Sequence, residues 1–166
     1  EKTMNYYRKQ VQCHLIKQDY EGVKEYILQG RSYLKNGKYS HEPLIFNSFF
    51  VMAEIINNLQ HYSKEDYYYT ENLIDKLAKM QLILKSNNAA DIYLLKGINA
   101  FYINDVQTVY HSFRKAYQEY NKIEMSYFWV KRELMKENII TAYTILNINE
   151  SSYDVSFLTF DCKEQL

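Results

Sequence analysis

Apolar side chains recur three and four positions apart along nearly the whole of this chain, and only four glycines and one proline interrupt them. That spacing gathers apolar residues on one stripe of an α-helix, whereas a half-buried strand needs alternation with a period of two. Helices therefore dominate the expected fold. The pattern predicts them at 4–17, 20–35, 43–60, 66–86, 89–103, 106–121 and 125–147. Local chemistry marks several of their ends. Asp19 is placed to cap the second helix and Asn36-Gly37 to close it, since glycine adopts the left-handed backbone of a helix end at little cost. Pro43 falls in a first turn, where an N–H has no intrahelical partner anyway. Ser63-Lys64-Glu65-Asp66 has capping-box spacing, and Asn87-Asn88 and Asn104-Asp105 punctuate the later helices.

Amphipathic helices joined by short turns cannot bury their apolar stripes alone, so successive pairs have to stack on a shared core. Residues 1–150 are read as that helical domain. Residues 151–166, in which Tyr153, Val155 and Phe157 alternate, are read as a C-terminal tail or the start of a further element. The start at Glu1 without an initiator methionine, and the capping-box-like Asp161-Cys162-Lys163-Glu164 at the other end, read as a piece of a longer protein.

Composition narrows the function. With 47% apolar and 24% charged residues the chain has the make-up of an ordinary folded domain. Its longest apolar stretches, 44–56 and 139–148, are broken by polar residues and fall short of the roughly 18 needed to span a bilayer, so no membrane partner is expected. Lys plus Arg and Asp plus Glu are equal at 20 each and interspersed. Binding nucleic acid needs a concentrated positive field, which such a distribution does not supply. Cys13 and Cys162 lie far apart without CxxC spacing or a signal peptide, and are read as reduced thiols of a cytoplasmic protein, Cys13 as a small apolar core residue.

The same reading expects no metal, no cofactor and no catalytic residue. His14, His41, His61 and His111 are scattered, and none has metal-ligand spacing. Nucleophile-elbow and phosphate-loop motifs are absent, and carboxylate pairs such as Glu65-Asp66 fall in expected turns, where helix capping accounts for them. The chain is therefore read as a non-enzyme.

One stretch carries a resemblance. Tyr93 precedes Gly97 by four residues, the polar turn Asn104-Asp105 follows, and Phe113 and Ala116 come after it on the next helix. This segment resembles a tetratricopeptide repeat, although Lys96, Ala100, Val109 and Asn121 depart from that pattern. The steric logic is that Gly97 and Ala116 let two backbones approach while Tyr93 and Phe113 fill the space between them. A second copy runs from Tyr7 through Asp19-Tyr20 to Ile27 and Gly30, with Val11 where glycine is expected. The resemblance implies an all-α fold, a right-handed solenoid of about seven antiparallel helices. At the level of helix pattern the chain is also similar to bacterial peptide-pheromone-sensing regulators of the Rap, Rgg and PlcR type, and to the helical-repeat part of PCI-class subunits.

In tetratricopeptide arrays the first helix of each pair lines the concave groove. Carried onto this sequence, that implies a binding surface made of Asn5, Arg8 and Gln12 on the first helix, Asn47, Glu54 and Asn58 on the third, and Asn99 and Tyr102 on the fifth, with Tyr110 as a further aromatic anchor among 18 tyrosines. Amides donate to and accept from an extended peptide, and Arg8 suits a carboxylate. The expected partner is a protein or peptide, a homodimer being compatible with this. The first reading is a binding module, the sensing part of a bacterial regulator. The second is a structural subunit of a larger complex, with 43–60 and 125–147 packed on neighbours.

Overall fold

The computed structural model describes residues 3–36, 43–61, 64–85 and 89–122, and among these the protein is all helical, with no strand. The helices are α1 (Met4–Ile16), α2 (Tyr20–Asn36), α3 (Pro43–Gln60), α4 (Tyr67–Ile83), α5 (Ala89–Tyr102) and α6 (Val106–Asn121), with a single 3₁₀ turn at Lys64–Asp66 before α4. Their ends lie within three residues of those expected. The expected helix at 125–147, the Ser63 cap, Gly37, Asn87-Asn88, Cys162 and the segment 151–166 lie outside the described residues. No helix among the described residues is long and apolar enough to cross a membrane.

Two turns share one construction. At the end of α1, Gln18 takes a left-handed φ of 55°, its N–H donates to Leu15 O at 3.1 Å, and the Asp19 N–H donates to His14 O at 2.9 Å. At the end of α5, Asn104 takes a φ of 57°, its N–H donates to Phe101 O at 3.1 Å, and the Asp105 N–H donates to Ala100 O at 3.1 Å. Both are Schellman closures, which satisfy the last carbonyls of a helix. In each the following aspartate then opens the next helix. Asp19 Oδ1 accepts from the Gly22 N–H at 3.1 Å, and Asp105 accepts from both the N–H and the hydroxyl of Thr108, at 3.2 and 2.6 Å. The side-chain caps satisfy donors that would otherwise have no intrahelical partner.

Two compact units divide the chain between Asn88 and Ala89. In the first, Met4, Tyr7, Val11, Val23, Ile27, Leu34, Phe50 and Ala53 form a buried core shared by α1, α2 and α3. The close fit is made at Gly30: a Cβ there would stand 2.4 Å from Cζ of Phe50, itself fully buried. Polar side chains of α3 tie its far end to the α1–α2 turn. Asn57 Nδ2 donates to Tyr20 O at 3.1 Å and Gln60 Nε2 to Leu15 O at 3.2 Å. In the second unit α5 and α6 pack on each other. Gly97 lies against Phe113, and Val109, Phe113, Ala116 and Tyr117 are buried. Gly97 and Ala116 are therefore both interior, and the Tyr93 ring sits under Nζ of Lys115 at 5.3 Å. Cys13 corrects its expectation. It is exposed, because it falls between the buried stripe positions of α1.

Candidate functional site

The first ten residues of α3 read Pro-Leu-Ile-Phe-Asn-Ser-Phe-Phe-Val-Met, apolar almost all the way round. One stripe of a helix satisfies one neighbour, so a helix with apolar residues on several faces has surface left over. Phe50 and Ala53 enter the core with α1 and α2. Phe46, Phe49 and Met52 remain half-buried, and Ile45 is 44% exposed. These four, with Ser48 of α3, Leu77 and Gln81 of α4 and Arg8 of α1, line an open hollow of about 250 Å³.

Two polar groups of this hollow stand out. The Arg8 guanidinium lies over the Phe49 ring, 5.3 Å from its centroid, and its buried Nε has no hydrogen-bond partner among the described residues. No carboxylate among the described residues pairs with it. Gln81 is 8% exposed, and its amide makes no hydrogen bond to another described residue. Buried donors are normally satisfied, which sets the Arg8 Nε apart among the polar groups of this hollow. Ser48 differs, since its hydroxyl donates to Ile45 O at 2.7 Å.

A second, larger groove of about 470 Å³ runs along α2, lined by Glu21, Lys24, Glu25, Ile27, Leu28, Arg31 and Glu54. Its charges are of both signs and are largely answered. Arg31 Nη2 donates to Glu54 Oε2 at 3.0 Å, and the Tyr69 hydroxyl of α4 donates to Glu54 Oε1. The hydrogen bond to an ionised carboxylate, reinforced by partial burial and by the negative charge of Glu54, pushes the Tyr69 phenol up to about 12. Glu54 thus acts as a link between α2, α3 and α4. Both of its oxygens are engaged within the protein.

The structure therefore separates the residues expected to share one surface. Arg8 stands in the smaller hollow and Glu54 in the larger groove. Asn5 and Gln12 are exposed on α1 and Asn47 is half-buried on α3. Asn58, 7% exposed, and Asn99, fully buried, sit in the interior rather than on wet helix faces. Tyr102 is half-buried, and Tyr110 is buried at 4% exposure. Phe46, Phe49, Leu77 and Gln81 were not among the expected contacts, because only the packing of α3 on α4 shows which of many apolar positions stay uncovered.

A separate polar pair lies at the α1–α2 turn. His14 Nδ1 is 2.8 Å from Asp19 Oδ2, and the imidazole stacks on Tyr26 with centroids 5.0 Å apart. The Gly22 N–H and then the His14 contact hold the Asp19 carboxyl below its ordinary value of 3.8. Gly22 makes room for this pair: a Cβ there would stand 2.4 Å from Asp19 Oδ2 and 2.5 Å from His14 Nδ1. No group of three or more metal-type ligands occurs among the described residues. No protein-family model matches the chain, and neither a curated protein nor a solved structure is significantly similar to it.

Proposed function

We propose that this chain is a non-catalytic protein- or peptide-binding module, built on the plan of a right-handed tetratricopeptide-like solenoid. The repeat plan is supported by the two hairpins. Tyr7, Val11, Asp19, Ile27 and Gly30 of the first fall at the positions of Tyr93, Gly97, Asp105, Phe113 and Ala116 in the second, and both use a left-handed residue followed by an aspartate cap. The binding role is supported by one observation: an open apolar hollow whose wall holds an arginine with a buried Nε that finds no hydrogen-bond partner among the described residues. A side chain kept from its hydrogen bonds is costly to maintain, and a ligand that answers it recovers that free energy on binding.

Selection from a library of random peptides tests this. Enriched sequences should lose binding to Phe46→Arg and Arg8→Glu proteins and keep it with Gln29→Ala, a change on α2 away from the hollow. No enrichment, or enrichment indifferent to both hollow variants, refutes it. A structural-subunit role is the second reading, and the apolar end of α4 favours it, where Leu82 is 79% and Ile83 69% exposed. Under that reading the chain forms a stoichiometric complex whose assembly fails in Leu82→Lys/Ile83→Lys, while the hollow variants leave it intact.

A further inference from the structure

We propose that His14 is a phosphoryl-accepting side chain that reacts through Nε2 while Asp19 holds the other nitrogen of the ring, a role separate from the binding surface proposed above. The position of one proton comes first. His14 Nδ1 stands 2.8 Å from Asp19 Oδ2. The Gly22 N–H and then His14 hold the Asp19 carboxyl below its ordinary value, so it stays ionised and can only accept. The shared proton therefore sits on Nδ1, and Nε2 of the neutral ring keeps the lone pair. Nε2 has no hydrogen-bond partner among the described residues and is not one of the buried atoms left without one, so its lone pair faces solvent.

The ring is also fixed in place. One face lies on Tyr26, with centroids 5.0 Å apart and planes inclined by 24°. The Asp19 N–H donates to His14 O at 2.9 Å, tying the two backbones together beside the side-chain contact. Gly22 leaves the space that the pair fills, since a Cβ there would stand 2.5 Å from Nδ1. A carboxylate on one nitrogen of an imidazole sets its tautomer and orientation and makes the other nitrogen more basic. His61 and His111 lack this support: their rings lie against Tyr20 and Tyr110, and neither is paired with a carboxylate among the described residues.

Attack by Nε2 puts positive charge on the ring, and two features of the turn stabilise it. Asp19 accepts from the Nδ1–H of the cation, and His14 lies in the last turn of α1, where the helix dipole favours positive charge. Phosphoryl transfer fits this turn better than acyl transfer. It asks for an aligned nucleophile and a nearby cation, whereas an acyl transfer site also needs donors aimed at a tetrahedral oxyanion, and neither hollow described above includes His14. The cation is Lys17, three residues along the same helix face and close enough to help lower the Asp19 carboxyl. With a phosphoramidate as donor, the Nε2 lone pair forms the new N–P bond as the donor's own P–N bond breaks. Ammonia leaves with that bonding pair, and the Nδ1 proton stays between the ring and Asp19.

The experiment treats the whole chain with potassium phosphoramidate and follows each histidine by peptide mapping and ³¹P NMR. His14 should be phosphorylated at Nε2, roughly tenfold faster than His61 or His111. Asp19→Asn keeps a capping side chain at the start of α2 and should bring His14 down to the rate of His111, whose own rate stays unchanged. Should circular dichroism show that Asp19→Asn disturbs the fold, the comparison of the three histidines in the unmodified protein decides alone. A His14 rate no higher than that of His111, or phosphorylation at Nδ1, overturns the proposal. So does a folded Asp19→Asn protein whose His14 reacts as fast as before.

Discussion

Replacing Gly97 by alanine sets two physical effects against each other, and the structure says which wins. Within a helix, alanine is the better residue by about 1 kcal/mol, so local propensity alone predicts that the change stabilises α5. A Cβ at Gly97 would, however, stand 2.3 Å from both Cδ1 and Cε1 of Phe113. The ring has to retreat by about 1 Å to regain ordinary contact, and at 2% exposure it has no solvent to move into. Overpacking of this kind typically costs about 1–3 kcal/mol. The net expectation is destabilisation by roughly 1 kcal/mol, near 3 °C in melting temperature for a chain of this size. Because the chain holds two compact units, the unfolding of α5–α6 is best followed through hydrogen exchange at Val109, Phe113 and Ala116 rather than by one global signal. Phe113→Leu alone should also destabilise, and the double variant Gly97→Ala/Phe113→Leu should lose about 1 kcal/mol less than the two single losses together, since the smaller side chain gives the new methyl room. Stabilisation by Gly97→Ala, or strict additivity in the cycle, would refute the close packing of glycine on ring.

Four other outcomes follow from named residues. Asp105→Ala removes the side-chain cap of α6 and should cost about 1 kcal/mol, read as a shift in denaturation midpoint, with Asp105→Asn retaining most of it. Asp19 is held below its ordinary 3.8, so its contribution is fully present above that value and is lost as pH falls through the lower folded-state value; Asp19→Asn should flatten the acid limb of the stability curve below pH 4 in a chemical-denaturation series. Thr70 is fully buried with a hydroxyl that finds no partner among the described residues, so Thr70→Val should stabilise α4 by about 1 kcal/mol in the same assay. Tyr69 is raised from 10.0 to about 12, so its neutral form is favoured by folding and that contribution fades only as pH rises through 12; in an ultraviolet difference titration, Tyr69→Phe should remove one late-ionising phenol and Glu54→Gln should return it towards 10.

What the sequence determined by itself was everything that depends on neighbours a turn away. Asp19, Pro43 and Asn104-Asp105 mark helix ends because capping, proline and left-handed residues act within four positions, and no distant contact is needed to make them act. Gly97 and Ala116 were legible for the same reason, as small residues at fixed offsets from a turn. The tertiary structure decided which polar residues are free. Glu54, expected to meet a ligand, is held by Arg31 and Tyr69, while Arg8, read from the same face-by-face logic, has no hydrogen-bond or ion-pair partner among the described residues. Asn99 shows the same limit, fully buried at a position indistinguishable in sequence from a wet one. Whether a polar side chain is spent within the protein or left for a partner depends on what stands opposite it, and helical spacing carries no information about the residue opposite.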